Sequence, residues 1–309
     1  MTVSAVCINM TKKKKNIKEN TEETNQLYIN WFPGHMTRTK RKIAEILPLI
    51  DAVAEVIDAR IPISSRNPDI LDIVGNKPRV ILLNKCDMAD NYVTEKWIEY
   101  FNNSGFIAIP IDCKSGKGLN LFKDKVKTLL KDKLENYRVK GLVGKPLRVM
   151  IVGIPNVGKS SFINKIAGKN KAKVENRPGV TRGNQWFSID KELELLDTPG
   201  VLWPKFDDLT VGEHLAFTGA VKDQVVDTEL LAVRLMDILK VNYRDLLVNR
   251  YGNLKFDCES YEILEQIGRK RGMVISGGEI DFLRASNMLL EEFRSCKIGN
   301  ISLERVENA

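Results

Sequence analysis

Gly153-Ile154-Pro155-Asn156-Val157-Gly158-Lys159-Ser160 fits the phosphate-loop pattern G-x-x-x-x-G-K-[S/T] without a gap. It follows Leu147 to Val152, a short β-prone apolar run, and opens into Ser161 to Ala167, which continues as a helix. Strand, glycine loop and helix together give the pattern a mechanism. The glycines let the backbone curl so that the N–H groups of Asn156, Val157, Gly158, Lys159, Ser160 and Ser161 face a polyphosphate, and the helix N-terminus adds its partial positive charge. Lys159 is placed to reach the β- and γ-phosphates, and the Ser160 hydroxyl to hold Mg²⁺.

Downstream, a polar loop ends in Arg177-Pro178-Gly179-Val180-Thr181, where a switch threonine would ligate Mg²⁺ and sense the γ-phosphate. Gln185 to Ile189 and Glu192 to Leu196 read as a β-hairpin whose second strand feeds Asp197-Thr198-Pro199-Gly200. There Asp197 would hold Mg²⁺ through water and the Gly200 N–H would contact the γ-phosphate.

Upstream, Asp51 to Ile57 reads as a buried strand and Arg79 to Leu83 as a run of the length of a central parallel strand. The second ends directly in Asn84-Lys85-Cys86-Asp87, the N-K-x-D pattern of guanine specificity. Guanine offers an N1–H and a 2-amino group on one edge, and Asp87 can accept both. A mismatched base leaves that carboxylate desolvated and unpaired. Asn84 would support the base and tie its loop back, with the Lys85 stem along the ring. After a helix over Thr94 to Asn102, with Thr94 as its N-cap, the strand Phe106 to Ile109 delivers Asp112-Cys113-Lys114. This is where a Ser-Ala-Lys loop supports guanine O6 in GTP-binding proteins. A long helix from Leu119 to about Leu134 and a linker from Tyr137 to Pro146 complete this part.

The parts of one guanine-nucleotide site, taking GTP or GDP with Mg²⁺, are therefore present in rotated order, the base loops preceding the phosphate loop. Circular permutation accounts for this, since the sheet still closes round one site. The fold expected is α/β: a permuted P-loop GTPase domain over residues 29–206, followed by a small all-helical domain over 207–309. Helices in the latter are expected at Glu229 to Leu239, Tyr261 to Ile267 and Ile280 to Phe293.

Charge and composition bound the setting. The net charge is +8. From Asp207 onward 13 Lys+Arg face 18 Asp+Glu, a balance of −5, which leaves +13 for residues 1–206. A polyanionic partner would find most of its attraction there; a merely basic surface is the alternative. Residues 1–28, with Lys12 to Lys15 in a row, read as a disordered basic tail. Five scattered cysteines give neither a zinc site nor a disulfide framework and point to a reducing, cytoplasmic compartment. No apolar run approaches the roughly 20 residues of a membrane helix, so no membrane association is expected.

The stretches Trp31–Met36 (WFPGHM), Asp58–Pro68 (DARIPISSRNP), Leu82–Asp87 (LLNKCD), Gly153–Asn164 (GIPNVGKSSFIN), Arg177–Thr181 (RPGVT) and Glu192–Phe206 (ELELLDTPGVLWPKF) resemble the circularly permuted YlqF/YawG GTPase family. The resemblance implies a monomeric GTPase that binds a late precursor of the large (50S) ribosomal subunit and its rRNA, through a helical RNA-contacting domain, and leaves after hydrolysis. Organellar ribosomes are the alternative setting. Where Ras-like enzymes carry a water-orienting glutamine, this chain has Val201, which has no hydrogen-bonding group. His35 is then the candidate to align or deprotonate the attacking water; holding the N-terminal turn or contacting RNA are its alternatives. Asn156 stands where related GTPases bind K⁺ beside the phosphates, against a simple loop-stabilising role. Val201 also leaves open a second reading, a GTP-gated rRNA-binding module with negligible catalytic role.

Overall fold

The computed structural model describes residues 34–142, 144–168, 174–175, 185–200, 202–203, 208–221 and 227–308. The chain divides into two compact units, one within Trp31–Pro204 together with Gly299–Ala309, the other within Lys205–Ile298.

The first unit is built on a seven-stranded sheet of order β3-β2-β1-β4-β7-β6-β5 among the described residues. Its strands are β1 (Ala52–Asp58), β2 (Arg79–Asn84), β3 (Ile107–Pro110), β4 (Leu147–Val152), β5 (Val174–Glu175), β6 (Gln185–Ser188) and β7 (Leu193–Asp197). Pairings β2·β3, β1·β2, β1·β4 and β4·β7 are parallel, and β6·β7 and β5·β6 are antiparallel. The largely apolar character of β1, β2 and β4 follows from burial on both faces; every residue of β1 is buried, Glu55 and Asp58 included. The permutation is visible in the order. The strand that enters the phosphate loop, β4, lies between β1 and β7, while β2 and β3 precede it in sequence.

Helices α1 (Gly34–Ile46), α2 (Pro68–Val74), α3 (Asn91–Asn103), α4 (Leu121–Leu129), α5 (Lys131–Val139) and α6 (Lys159–Ala167) belong to this unit. Ile43, Ile46, Ile70 and Val74 pack with Val53, Met150, Trp186 and Leu196 in one cluster. Val93, Trp97 and Phe101 pack with Ile57, Ile81 and Leu83 in another. Asp90, not Thr94, caps α3: its carboxylate accepts from the Val93 N–H at 3.2 Å, while Thr94 is buried and donates to the Asp90 carbonyl. The expected single helix over 119–134 is two, broken at Leu130, and α5 takes up the start of the expected linker.

The second unit holds α7 (Leu209–Phe217), α8 (Thr228–Asn242), α9 (Arg244–Tyr251), α10 (Ser260–Lys270) and α11 (Phe282–Arg294). Helices α8, α10 and α11 fall where apolar spacing predicts them, and α7 and α9 are additional. Asp227 and Asp281 cap α8 and α11. The cluster Arg269-Lys270-Arg271 is taken up within the unit. Arg269 pairs with Glu265, Lys270 donates to the carbonyls of Tyr251 and Asn253, and Arg271 lies over the Tyr251 ring. This unit ends at Ile298, short of the expected 309, because residues 299–304 hydrogen-bond to the first unit's own loops. Among the described residues no helix is long and apolar enough to cross a membrane. The N-terminal tail expected over 1–28 lies outside the described residues.

Candidate nucleotide-binding and catalytic site

In a parallel sheet the strands deliver their C-terminal ends to one edge, and ligands bind there. Here β2 ends in Asn84-Lys85-Cys86-Asp87, β3 leads to Asp112-Cys113-Lys114, β4 to the phosphate loop and β7 to Asp197-Thr198-Pro199-Gly200.

One side chain joins three of these loops. The buried Asn84 donates from Nδ2 to the Val157 carbonyl at 2.6 Å and accepts at Oδ1 from the Cys113 N–H at 3.1 Å. Base loop, phosphate loop and 112–114 loop are thereby fixed at one point. Gly158 makes this possible: its φ is +103°, and a Cβ there would lie 2.2 Å from Asn84 Nδ2. Lys85 also adopts a left-handed φ of +60° and turns its Nζ to Asp58 Oδ2 at 2.9 Å. Asp58 sits inside the sheet edge against Arg60, both 2% exposed. Burial opposes its ionisation, but the Arg60 and Lys85 charges outweigh burial and hold the carboxyl well below the usual range. Asp87 is exposed, so its carboxylate is open to a ligand; burial of its surroundings and then the Asp112 charge raise its pKa.

The residues that depart from Ser-Ala-Lys have local roles. Asp112 accepts from the N–H groups of Lys114 and Ser115 at 2.7 and 3.0 Å, which shapes its own loop. Although burial opposes it, these bonds lower its pKa. Cys113 is buried, its thiol pushed up to about 12 by burial and the Asp112 charge, so it serves as a small apolar residue with a useful backbone N–H. Lys114 is exposed, and its carbonyl accepts from Lys165 Nζ of α6.

At the phosphate end, Pro155, Asn156, Lys159, Ser160, Gln185, Asp197, Thr198, Pro199 and Gly200 line a cavity of about 350 Å³. Asn156 takes a left-handed φ of +61°. Lys159 is buried and donates from Nζ to the Ile154 carbonyl at 2.7 Å. Gly200 lies so close that a Cβ there would meet Lys159 Nζ at 2.6 Å. Burial depresses the Lys159 pKa to about 8 against the pull of Asp197. Burial likewise raises Asp197, with Lys159 opposing, and Asp197 Oδ1 is buried without a hydrogen-bond partner among the described residues. An unpaired buried carboxylate oxygen on a residue that lines the same polar cavity as Ser160 is the donor chemistry of a hard divalent cation, and the residues fit Mg²⁺. His35 lies in the first turn of α1. Thr181 and Val201 lie outside the described residues.

The fold and this constellation define a P-loop GTPase with permuted strand order, a guanine-nucleotide-binding GTP hydrolase. A family model described as "50S ribosome-binding GTPase" matches residues 148–274. Ribosome biogenesis GTPase A of Bacillus licheniformis is 46% identical over 91% of this chain and 100% of its own. Among solved structures, a GDP-bound TM YlqF is 29% identical with a TM-score of 0.63, covering 86% of this chain and all of its own. GNP-bound YlqF from T. maritima is 28% identical with a TM-score of 0.60, covering 87% and 98%. The chain belongs to the ribosome biogenesis GTPase A family, the circularly permuted YlqF/YawG GTPases.

Sequence reasoning missed one part of the site. Residues 300–304 lie along the base loop and the neighbouring 60–64 loop. The stretch carries no motif, and its partners are more than 200 positions away in sequence, so no local signal marks it.

Proposed function

We propose that this protein docks on a precursor of the large ribosomal subunit and its rRNA, couples GTP hydrolysis to late assembly of the 50S subunit, and acts as a cytoplasmic monomer. The observation that carries this reading is the continuity of the chain: the Asp197–Gly200 loop at the phosphate end runs on into the helical unit. The match described as a 50S ribosome-binding GTPase spans both parts.

In this reading the phosphate-loop N–H groups from Asn156 to Ser161 and Lys159 hold the phosphates, and Ser160, Thr181 and Asp197 hold Mg²⁺. Bound Mg²⁺ supplies charge neutralisation at the β- and γ-phosphates. Asp87 accepts from guanine N1–H and the 2-amino group, with Asn84, Lys85 and the 112–114 loop framing the base. Gly200 contacts the γ-phosphate. His35 aligns the attacking water in place of the glutamine that Val201 replaces, and Asn156 places K⁺ beside the phosphates. Electrostatic positioning then does most of the catalysis. The negative balance of the helical part leaves attraction to rRNA chiefly to the basic residues 1–206.

The test is the GTPase rate with and without purified large ribosomal subunits, in K⁺ and then in Na⁺ buffer, for wild type and His35→Ala. A large stimulation in K⁺ that His35→Ala removes is expected. Absence of stimulation by any subunit particle would favour the second reading, a GTP-gated rRNA-binding module, to which Val201 points.

A further inference from the structure

The chain leaves the helical unit at Ile298 and its next residues form a strap across the loops at the base end of the site. Asn300 Nδ2 donates to the backbone carbonyls of Asp87 and Ala89 at 2.9 and 3.1 Å. The Ile301 N–H donates to the Met88 carbonyl at 3.0 Å, and Ser302 Oγ accepts from the Asp90 N–H at 3.1 Å. Each residue from Asp87 to Asp90 thus has a backbone group bonded to the strap. The Leu303 N–H donates to the Arg60 carbonyl at 2.9 Å. The Glu304 carboxylate accepts from the N–H groups of Ile63 and Ser64 at 2.6 and 2.9 Å, and from the Ser64 hydroxyl. Trp97 Nε1 donates to the Glu304 carbonyl at 3.2 Å. Ile301 and Ser302 are buried, at 1% and 2% exposure, while Asn300 and its bond to the Asp87 carbonyl lie at the surface.

The pattern is that of a brace. Asp87 presents an exposed carboxylate on a backbone whose polar groups are held from behind, and Lys85 and Asp58 fix the loop's other end. A carboxylate that must accept two donors from one base edge needs its backbone held to a fraction of an ångström. The loop by itself supplies one backbone bond here, Met88 N–H to the Lys85 carbonyl at 2.9 Å.

We propose that residues 299–304 are a specificity element of the nucleotide site. Asn300, with Ser302, is a positioning residue that sets Asp87 for guanine. The proposal rests on the reading of Asp87 as the guanine-binding carboxylate.

The experiment titrates the full-length protein with GDP, inosine diphosphate and xanthosine diphosphate, for wild type, Asn300→Ala, Ser302→Ala and Asp87→Asn, with a thermal melt of each. Inosine lacks the 2-amino group, so the GDP-to-inosine ratio reads the placement of the carboxylate. Asn300→Ala is expected to weaken GDP about tenfold and inosine diphosphate less, so that the ratio falls. A residue that only stabilises the fold would lower the melting temperature and leave the ratio unchanged. If Asp87→Asn turns preference to xanthine while Asn300→Ala and Ser302→Ala keep the wild-type ratio, the strap proposal is overturned and the guanine assignment stands. If Asp87→Asn keeps the preference for GDP, the assignment itself falls and the strap proposal with it. Should Asn300→Ala not fold, Ser302→Ala decides, since it removes one acceptor and leaves the Asn300 bonds in place.

Discussion

At the base end of the nucleotide site both halves of the Asn84 amide are bonded, Asp112 satisfies its own loop, and a strap covers the backbone behind Asp87. At the phosphate end Lys159 donates to a carbonyl of its own loop and Asp197 Oδ1 is buried without a partner among the described residues. The same sheet edge thus carries one half whose polar groups satisfy one another and one half whose charges do not. A buried polar atom left unpaired costs about 1–3 kcal/mol, and such a cost is expected where a ligand supplies the missing partner. The base is common to GTP and GDP; the γ-phosphate is what differs. Rigidity belongs at the first and unspent charge at the second.

The comparison breaks most sharply if the two ends fail to separate under mutation. Lys159→Met keeps the length of the side chain and removes its charge, and is expected to lower kcat/KM for GTP by about 10³-fold. The preference for GDP over inosine diphosphate should be untouched, as measured by competition binding. A change in that preference would mean the ends are not independent. Asp87→Asn is the converse, expected to weaken GDP on the order of 10²-fold and favour xanthosine diphosphate, with the pH dependence of phosphate binding retained.

Gly158→Ala tests the join. The added Cβ would displace Asn84 Nδ2 from its bond to Val157, at a φ of +103° that costs an L-residue about 1–2 kcal/mol. A roughly tenfold loss of affinity that affects GDP and inosine diphosphate equally is expected, since both ends move together. Isothermal titration of the two nucleotides reads this directly, and wild-type affinity would remove Asn84 from its bridging role.

Which parts were legible in the sequence follows the same division. The phosphate loop and Asn84–Asp87 are contiguous residues at strand ends, so a local pattern carries both the fold and the chemistry. Helices α8, α10 and α11 were legible because each buries one apolar stripe. The Asp90 cap escaped because Thr94, an equally good capping type, stands nearer the apolar residues and proves to be buried within the first turn of α3. Helix α7 escaped because nine residues are too few to show a period when Leu215, Ala216 and Phe217 are buried in succession; α8 has a like run, Leu231 to Val233, within fifteen residues. The strap was illegible for a different reason. Asn300 and Glu304 act through backbone groups of Asp87, Ala89, Ile63 and Ser64, and backbone groups are the same in every sequence.

The smallest expected effect is also the most specific to the phosphate end. Lys159 has a pKa of about 8, depressed by burial from its usual 10.5. Phosphates favour the ammonium form, so nucleotide binding above pH 8 must take up a proton, and GDP affinity should fall as pH rises through 8, by at most tenfold per pH unit. Titration calorimetry in two buffers of different ionisation enthalpy should show little uptake at pH 7 and close to one proton at pH 9, absent in Lys159→Met. The fold responds with the opposite sign. Between pH 8 and 10.5 the unfolded chain binds more protons at this lysine than the native one, so the Lys159 contribution to stability rises with pH across that window. Affinity that falls while this contribution rises separates the buried lysine from general alkaline unfolding, in which both would fall together. A GDP affinity constant from pH 7 to 9.5 would show that the lysine is already charged in the free protein, and the contrast between the two ends would then rest on Asp197 alone.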